Sequence, residues 1–383
     1  MKKKETADLQ EYRNGKRELT EEEMTYEFWL AGIRGLPARK KCMLRQYMKS
    51  GKDVYYIEET EIRRIGFLTE KESNTIIQAQ RDRGFQESYG KMLRSGIRFV
   101  PYFSEDYPSS LLEIPDFPFA LYVKGNLPGE HTKRAAIVGA RRCTPYGEKY
   151  ALEFGRILAR AGAEIISGLA RGIDGMGQRG ALLGGGRTFA VLGCGADVCY
   201  PKEHFGLYTD ILEQGGGILS ELPPGTPPLP HNFPPRNRII SGLSDAVLIM
   251  EARERSGSLI TADMALDQGK DVYALPGPVN SSLSEGCNRL IRQGAGILLS
   301  PESLLEEWEL ALPGGGQKEG KNEKMLESPE KLVYSCLGLY PKSIEQVSKE
   351  TGIKIKELLN TLVRLEIQGY IREISKNYYI RSK

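Results

Sequence analysis

The 383-residue chain has no run approaching the roughly 18 consecutive apolar residues that a membrane-spanning helix needs, which excludes a spanning protein. Histidine is scarce, at His131, His204 and His231, and the six cysteines form no CxxC pair. A zinc site or a disulfide framework is therefore not expected, no metal ligand is assigned, and the thiols read as reduced. A dominant sign of charge is missing too. Lys and Arg number 53 against 50 Asp and Glu, a net +3, so bulk charge points to no polyanionic partner and any such case must come from local clusters. Behind Met1-Lys2-Lys3-Lys4 there is no apolar segment of an export signal, which makes a cytoplasmic location the expectation. The turn that follows the 135–138 run lacks the GxGxxG fingerprint and no GxxxxGK[ST] occurs, so no dinucleotide or nucleoside triphosphate cofactor is expected.

What is present is unevenly distributed. Residues 125–300 hold 28 of the 43 glycines, and within them short apolar runs alternate with helical patterns. These runs are 135–138, 164–167, 189–192, 217–220, 246–250 and 271–274. Strands alternating with helices predict an α/β domain with a doubly wound, mostly parallel, Rossmann-like sheet that takes ligands at its carboxyl ends. Residues 1–95 read as a helical module after a charged tail, with apolar spacing through Trp29, Leu30, Ile33, Leu36, Met43, Leu44, Tyr47 and Met48. Residues 96–312 form the α/β domain and 313–327, rich in Gly, Lys and Glu, a flexible linker. Residues 328–383 then read as three helices and a hairpin, which is a winged helix.

The carboxyl ends of the expected strands carry the chemistry. Gly139-Ala140-Arg141-Arg142 precedes a helix start, a layout in which backbone N–H groups and guanidiniums meet an anion. The next strand end repeats it with Ser167, Gly168, Arg171 and Gly172, and Asp174 there is expected to cap a helix or hold an arginine. Residues 222–235 contain seven prolines, a rigid arm delivering Arg236, Asn237 and Arg238. Ser256-Gly257-Ser258 offers a further helix start. Among these loops the pattern shows several cations, with Arg253 and Arg255 as further candidates, but no organised nucleophile or acid pair. It favours binding a polyanion over turnover, with Tyr146 or Phe233 available to stack bases.

Six motifs in order resemble the DNA-processing protein A family, also called DprA or Smf. They are VGARR at 138–142, SGLARGID at 167–174, GCGADVCYP at 193–201, FPPRNRIISGLS at 233–244, SGSLITA at 256–262, and Pro276-Gly277 with GCNRLI at 286–291. The resemblance implies an extended Rossmann-like domain that binds and protects single-stranded DNA in natural transformation and loads the RecA recombinase onto it. It also implies a homodimer, a helical N-terminal domain of the SAM or helix-hairpin-helix kind, and a C-terminal winged helix. DNA contacts carry over to Arg141, to Arg236 and Arg238, and to Lys202. The sequence departs from the family at Gln178, which stands where a histidine is usual and keeps hydrogen bonding without titrating. Gly175 and Gly177 beside it are expected to weaken the helix start by about 0.5–1 kcal/mol each.

Two other readings compete. A Rossmann-like nucleoside monophosphate hydrolase would use the loop at Ser256-Gly257-Ser258 with Asp263 as its nearest carboxylate, and a duplex-binding regulator would act through the winged helix, whose third helix carries Lys354, Lys356 and Arg364.

Overall fold

The computed structural model describes residues 19–313, 328–337, 342–375 and 377–381. The charged tail and, from residue 314, the expected linker lie outside them. The chain divides into two compact units, Met1–Pro313 and Gly314–Lys383.

The larger unit is built on nine strands: β1 (Ile97–Pro101), β2 (Ala120–Gly125), β3 (Arg134–Val138), β4 (Glu164–Ser167), β5 (Thr188–Val191), β6 (Gly217–Ser220), β7 (Ala246–Ile249), β8 (Asp271–Ala274) and β9 (Gly296–Ile297). Their spatial order is β1-β2-β6-β5-β4-β3-β7-β8-β9. All pairs from β6 to β9 are parallel, whereas β1 and β2 add an antiparallel edge. The six expected strands are all present, within one residue at each end, and β1, β2 and β9 are additions to that reading. Every residue of β3, β4, β5, β6 and β7 is buried, which is why these strands appear in the sequence as unbroken apolar runs.

Helices cover both faces. Ala135 and Ile137 share a core with Phe154, Leu158 and Ala181, and Ala136 and Val138 face a second core with Ile239, Ile240 and Leu243. On the first face, helices Pro145–Arg160 and Ile173–Leu183 touch backbone to backbone. A Cβ on Gly155 would stand 2.1 Å from the Gly177 carbonyl oxygen, and one on Gly180 would stand 2.2 Å from that of Leu152. Gly175 and Gly177 do lie within the helix, and packing supplies a reason for glycine that the expected propensity cost did not include. A Cβ on Gly177 would come within 2.7 Å of Ile137 Cγ2, so glycine there is what lets the helix lie on the sheet.

The N-terminal segment is helical as expected, from Glu21–Gly32 to Phe85–Arg94. Its core is aromatic: Trp29, Tyr26, Tyr55 and Phe85 pack with ring centroids 5.0–6.5 Å apart. That core continues into the sheet, since Phe28 meets Phe99 of β1 and Tyr122 of β2 edge-on at 5.7 and 6.0 Å. Within it Glu27 and Arg45 form a buried pair at 3.0 Å, with the Arg45 guanidinium 3.6 Å from the Phe103 ring centroid. Tyr47, expected on the apolar face, is exposed, and Cys42 and Arg45 are buried instead.

The smaller unit has helices Ser328–Cys336, Ile344–Thr351 and Ile355–Ile367 around Val333, Val347, Leu358, Leu362 and Leu365. Strands β11 (Ile371–Ser375) and β12 (Tyr378–Arg381) form the wing, and β10 (Lys342–Ser343) pairs with β12, a short strand absent from the sequence reading.

Candidate nucleic-acid interface

In the sheet order, β3 connects to β4 on one side and lies against β7 on the other, so the connections diverge at the carboxyl ends of β3 and β7. Divergence of this kind opens a crevice. Here it is a cleft of about 430 Å³ bordered by Gly139, Arg141, Phe233, Asn237 and Ser256-Gly257-Ser258.

The loop after β3 is fixed from below. Gly139 passes so close to its neighbours that a Cβ would stand 2.7 Å from Ile173 Cγ1 and 2.9 Å from the Glu251 carbonyl oxygen. Ala140 N–H donates to that same oxygen at 2.8 Å. The Glu251 carboxylate, just past β7, accepts from Thr144 N–H at 2.8 Å and from its hydroxyl at 2.5 Å, and Thr144 caps helix Pro145–Arg160. The sequence reading gave Glu251 no role; its place one residue beyond an apolar strand was the available signal. On this rigid turn Arg141 and Arg142 are exposed, and among the described residues neither is paired with a carboxylate. The Arg141 guanidinium lies 5.5 Å from the centroid of Phe233, whose ring is in turn 5.6 Å from Tyr200. A cation and two aromatic rings thus sit in a row beside the cleft.

The other expected contacts are placed differently from one another. Ser167 is buried and donates to the Ile137 carbonyl at 2.6 Å, so its hydroxyl is used within the sheet. Gly168 N–H donates to Asp174 at 3.1 Å, and Gly172, at φ +70°, packs so tightly that a Cβ would lie 2.4 Å from the Ala140 carbonyl oxygen. Arg171 is exposed but paired with Glu203 through two nitrogens. Lys202 is exposed at the start of the turn Lys202–His204. Ser256 caps helix Gly257–Asp267, accepting from Ser258 N–H at 3.3 Å, and Asn237 donates to the Gly257 carbonyl at 3.4 Å.

Arg236 and Arg238 depart from the free cations that the rigid arm was expected to deliver. Arg236 is 5% exposed, and its Nη1 donates to the Gly168 carbonyl at 3.0 Å and to the Val191 carbonyl. Burial pulls its pKa down to about 10, against the opposing charge of Asp174. Burial likewise raises the Asp174 carboxyl above its usual range, while Arg236 and the Gly168 N–H act to lower it. Asp174 therefore faces the charge of Arg236, while it accepts a hydrogen bond from the Gly168 N–H. Arg238 makes a two-nitrogen contact with Glu221 at 3.0 and 2.6 Å and a further one with Asp116 at 3.3 Å. The cause in both cases is that helix Phe233–Leu243 turns these side chains toward β5 and the loop after β6.

Gln178 is fully buried; it accepts from Leu169 N–H at 3.2 Å and donates to the Phe189 carbonyl at 3.3 Å, a hydrogen-bonding role that needs no charge. Asp263 is exposed and borders a separate cavity beside β8 and β9, not the strand-end cleft, so it gives the hydrolase reading no carboxylate there. Tyr146 donates to the Pro276 carbonyl at 2.7 Å, outside the Arg141–Phe233 row. On the winged helix, Ile355, Leu359, Val363 and Ile367 form an exposed apolar row along helix Ile355–Ile367, beside Lys356 and Arg364. Among the described residues no helix is long and apolar enough to cross a membrane.

A parallel sheet with a cleft at its switch point, bordered by a close-packed glycine turn and the unpaired Arg141 guanidinium, defines a Rossmann-like protein with the layout of an anion site. Residues 98–309 match the family model of DNA recombination-mediator protein A, and residues 317–375 match that of the DprA winged helix domain. The chain belongs to the DNA recombination-mediator protein A family, DprA or Smf, as its six motifs led one to expect. It is 40% identical over 316 residues to Protein Smf of Escherichia coli K12, covering 79% of this chain and 84% of that one. It is 44% identical over 203 residues to the DNA processing protein DprA of Streptococcus pneumoniae R6, covering 53% and 71%. The crystal structure of S. pneumoniae DprA superposes with a TM-score of 0.65 at 34% identity, covering 76% of this chain and 99% of that one. DNA processing protein A from Helicobacter pylori, solved for its single-stranded DNA binding mode, gives a TM-score of 0.51 at 32% identity, covering 56% and 97%.

Proposed function

We propose that the chain binds single-stranded DNA across the cleft at the ends of β3 and β7, protects it, and as a homodimer loads a RecA-type recombinase onto it during transformation. The observation that carries the binding reading is Arg141: an exposed, unpaired guanidinium on a turn fixed by Glu251, 5.5 Å from the Phe233 ring beside the cleft. A flexible cation over an aromatic platform offers one group to a phosphate and a face to a base, which is how strands are held without sequence readout. Arg142 and Lys202 add exposed charge. The backbone at Gly139, Gly168 and Gly172 and the helix start at Ser256, Gly257 and Ser258 shape the cleft, with Asn237 bridging the two walls. Ser167 and Arg236 act from beneath, by tying the loops to the sheet, and Arg171 and Arg238 act only so far as their acid partners release them. In this division residues 96–312 handle the strand, 1–95 brace the sheet edge, and 328–383 form the winged helix.

The protein acts by binding rather than by turnover. Asp174, the buried acid of the cleft, is engaged by Gly168 N–H and by the charge of Arg236, leaving it no free role as a base. The test is fluorescence anisotropy with a labelled strand of about 30 nucleotides and the matching duplex over a range of salt. Preference for the single strand, lost in Arg141→Ala, is the expected result; equal binding of strand and duplex contradicts it. Sedimentation of the full chain tests the homodimer, and stimulation of recombinase-dependent strand pairing tests loading. Nucleotide hydrolysis abolished by Asp263→Asn would reverse the assignment to binding.

A further inference from the structure

The cleft is lined by Arg141, whereas other cations of the same sheet edge lie outside its lining. Arg142, Arg253 and Arg255 are exposed, and among the described residues none is paired with a carboxylate. Glu254, the acid between the last two, reaches instead to Arg289 of helix Glu285–Arg292 at 3.9 Å. Toward the β5 side the pattern reverses: Arg171 is held by Glu203, and Arg238 by Glu221 and Asp116. Apart from Lys202 on the loop after β5, the exposed cations of this edge that have no carboxylate partner among the described residues are therefore gathered on the loops leaving β3 and β7.

Those loops are stiff. Glu251 ties the β7 loop to Thr144 and, through its carbonyl, to Ala140. Ala252 N–H donates to the Leu283 carbonyl at 2.8 Å, and Gly286 N–H to the Ala252 carbonyl at 2.9 Å. A Cβ on Gly286 would stand 2.7 Å from the carbonyl oxygens of both Ala252 and Arg253, so the start of helix Glu285–Arg292 is pressed onto this loop. Ser256, the residue after Arg255, borders the cleft. The free guanidiniums thus begin where the wall of the cleft ends and continue toward helix Glu285–Arg292. Long cationic side chains on a fixed backbone suit a ligand of repeated negative charge, because only the side chains are ordered on binding.

We propose that Arg253 and Arg255, with Arg142, form a second phosphate-binding segment that takes the DNA strand as it leaves the cleft on the β7 side. This rests on single-strand binding at the cleft and adds to it the direction of the strand and the length it must have to bind fully.

The test uses the full chain, labelled oligothymidylates of about 8 and about 30 nucleotides, and three variants: Arg141→Ala, Arg253→Gln with Arg255→Gln, and Arg253→Lys with Arg255→Lys. The glutamine pair is expected to bind the long strand roughly tenfold more weakly and to lower the salt slope by about 1.4, two contacts at about 0.7 each for a single strand. On the short strand its affinity changes by less than about twofold, whereas Arg141→Ala weakens both lengths, and the lysine pair restores the slope. Equal loss on both lengths overturns the proposal, as does an unchanged long-strand affinity while Arg141→Ala still weakens it. If Arg141→Ala also changes nothing, the cleft itself is rejected, and this segment with it.

Discussion

Two arginine-bearing regions border one cleft and are built for opposite ends. On the loop after β3, Arg141 and Arg142 stand on a backbone immobilised by Glu251 and keep their charge unneutralised. On helix Phe233–Leu243, Arg236 is buried against two backbone carbonyls and the charge of Asp174, and Arg238 is closed by Glu221 and Asp116. The difference teaches that a guanidinium near a ligand site is a binding group only where the fold has left it unsatisfied. In the second region the charge stabilises the shape of the cleft; in the first the shape is already provided and the charge is available.

Removing the buried member should break the comparison most severely. Arg236→Ala leaves the Gly168 and Val191 carbonyls without their donor and Asp174 without its counter-charge, and is expected to cost about 2–4 kcal/mol of stability, read as a lower melting temperature and denaturant midpoint. Arg141→Ala should leave melting unchanged and weaken single-strand binding by about 1–3 kcal/mol, similarly for different sequences. Neutralising a partner should convert one class into the other: Glu203→Gln frees Arg171 and is expected to tighten binding by about two- to threefold at low salt, with a steeper salt slope. Deleting residues 325–383 should matter least, changing single-strand affinity by less than about twofold, because the exposed row of helix Ile355–Ile367 is apolar rather than cationic.

The central sheet was legible because strands buried on both faces leave unbroken apolar runs, as at Ala246–Ile249. β1 and β2 were not, since they lie in a stretch punctuated by Pro101, Pro108, Pro115 and Pro118 and pair antiparallel at the sheet edge. Likewise β9 and β10 are two residues long, too short for any period to show. Within the site, the glycine turns and Arg141 were readable from local pattern. The orientation of Arg236 was not, because the carbonyls it serves belong to residues 45 and 68 positions away. The packing role of Gly175 and Gly177 was hidden for the same reason: the nearest groups a Cβ would meet there belong to His204 and Ile137, far away in the chain.

The most direct measurement is the salt dependence of single-strand binding by the parent chain and Arg141→Ala, taken with the melting temperature of each. A free cation at the mouth of a prebuilt cleft predicts weaker binding, a slope reduced by about 0.7 and unchanged melting for the variant. Unchanged affinity and slope, or a loss of binding that tracks a loss of stability, would contradict it.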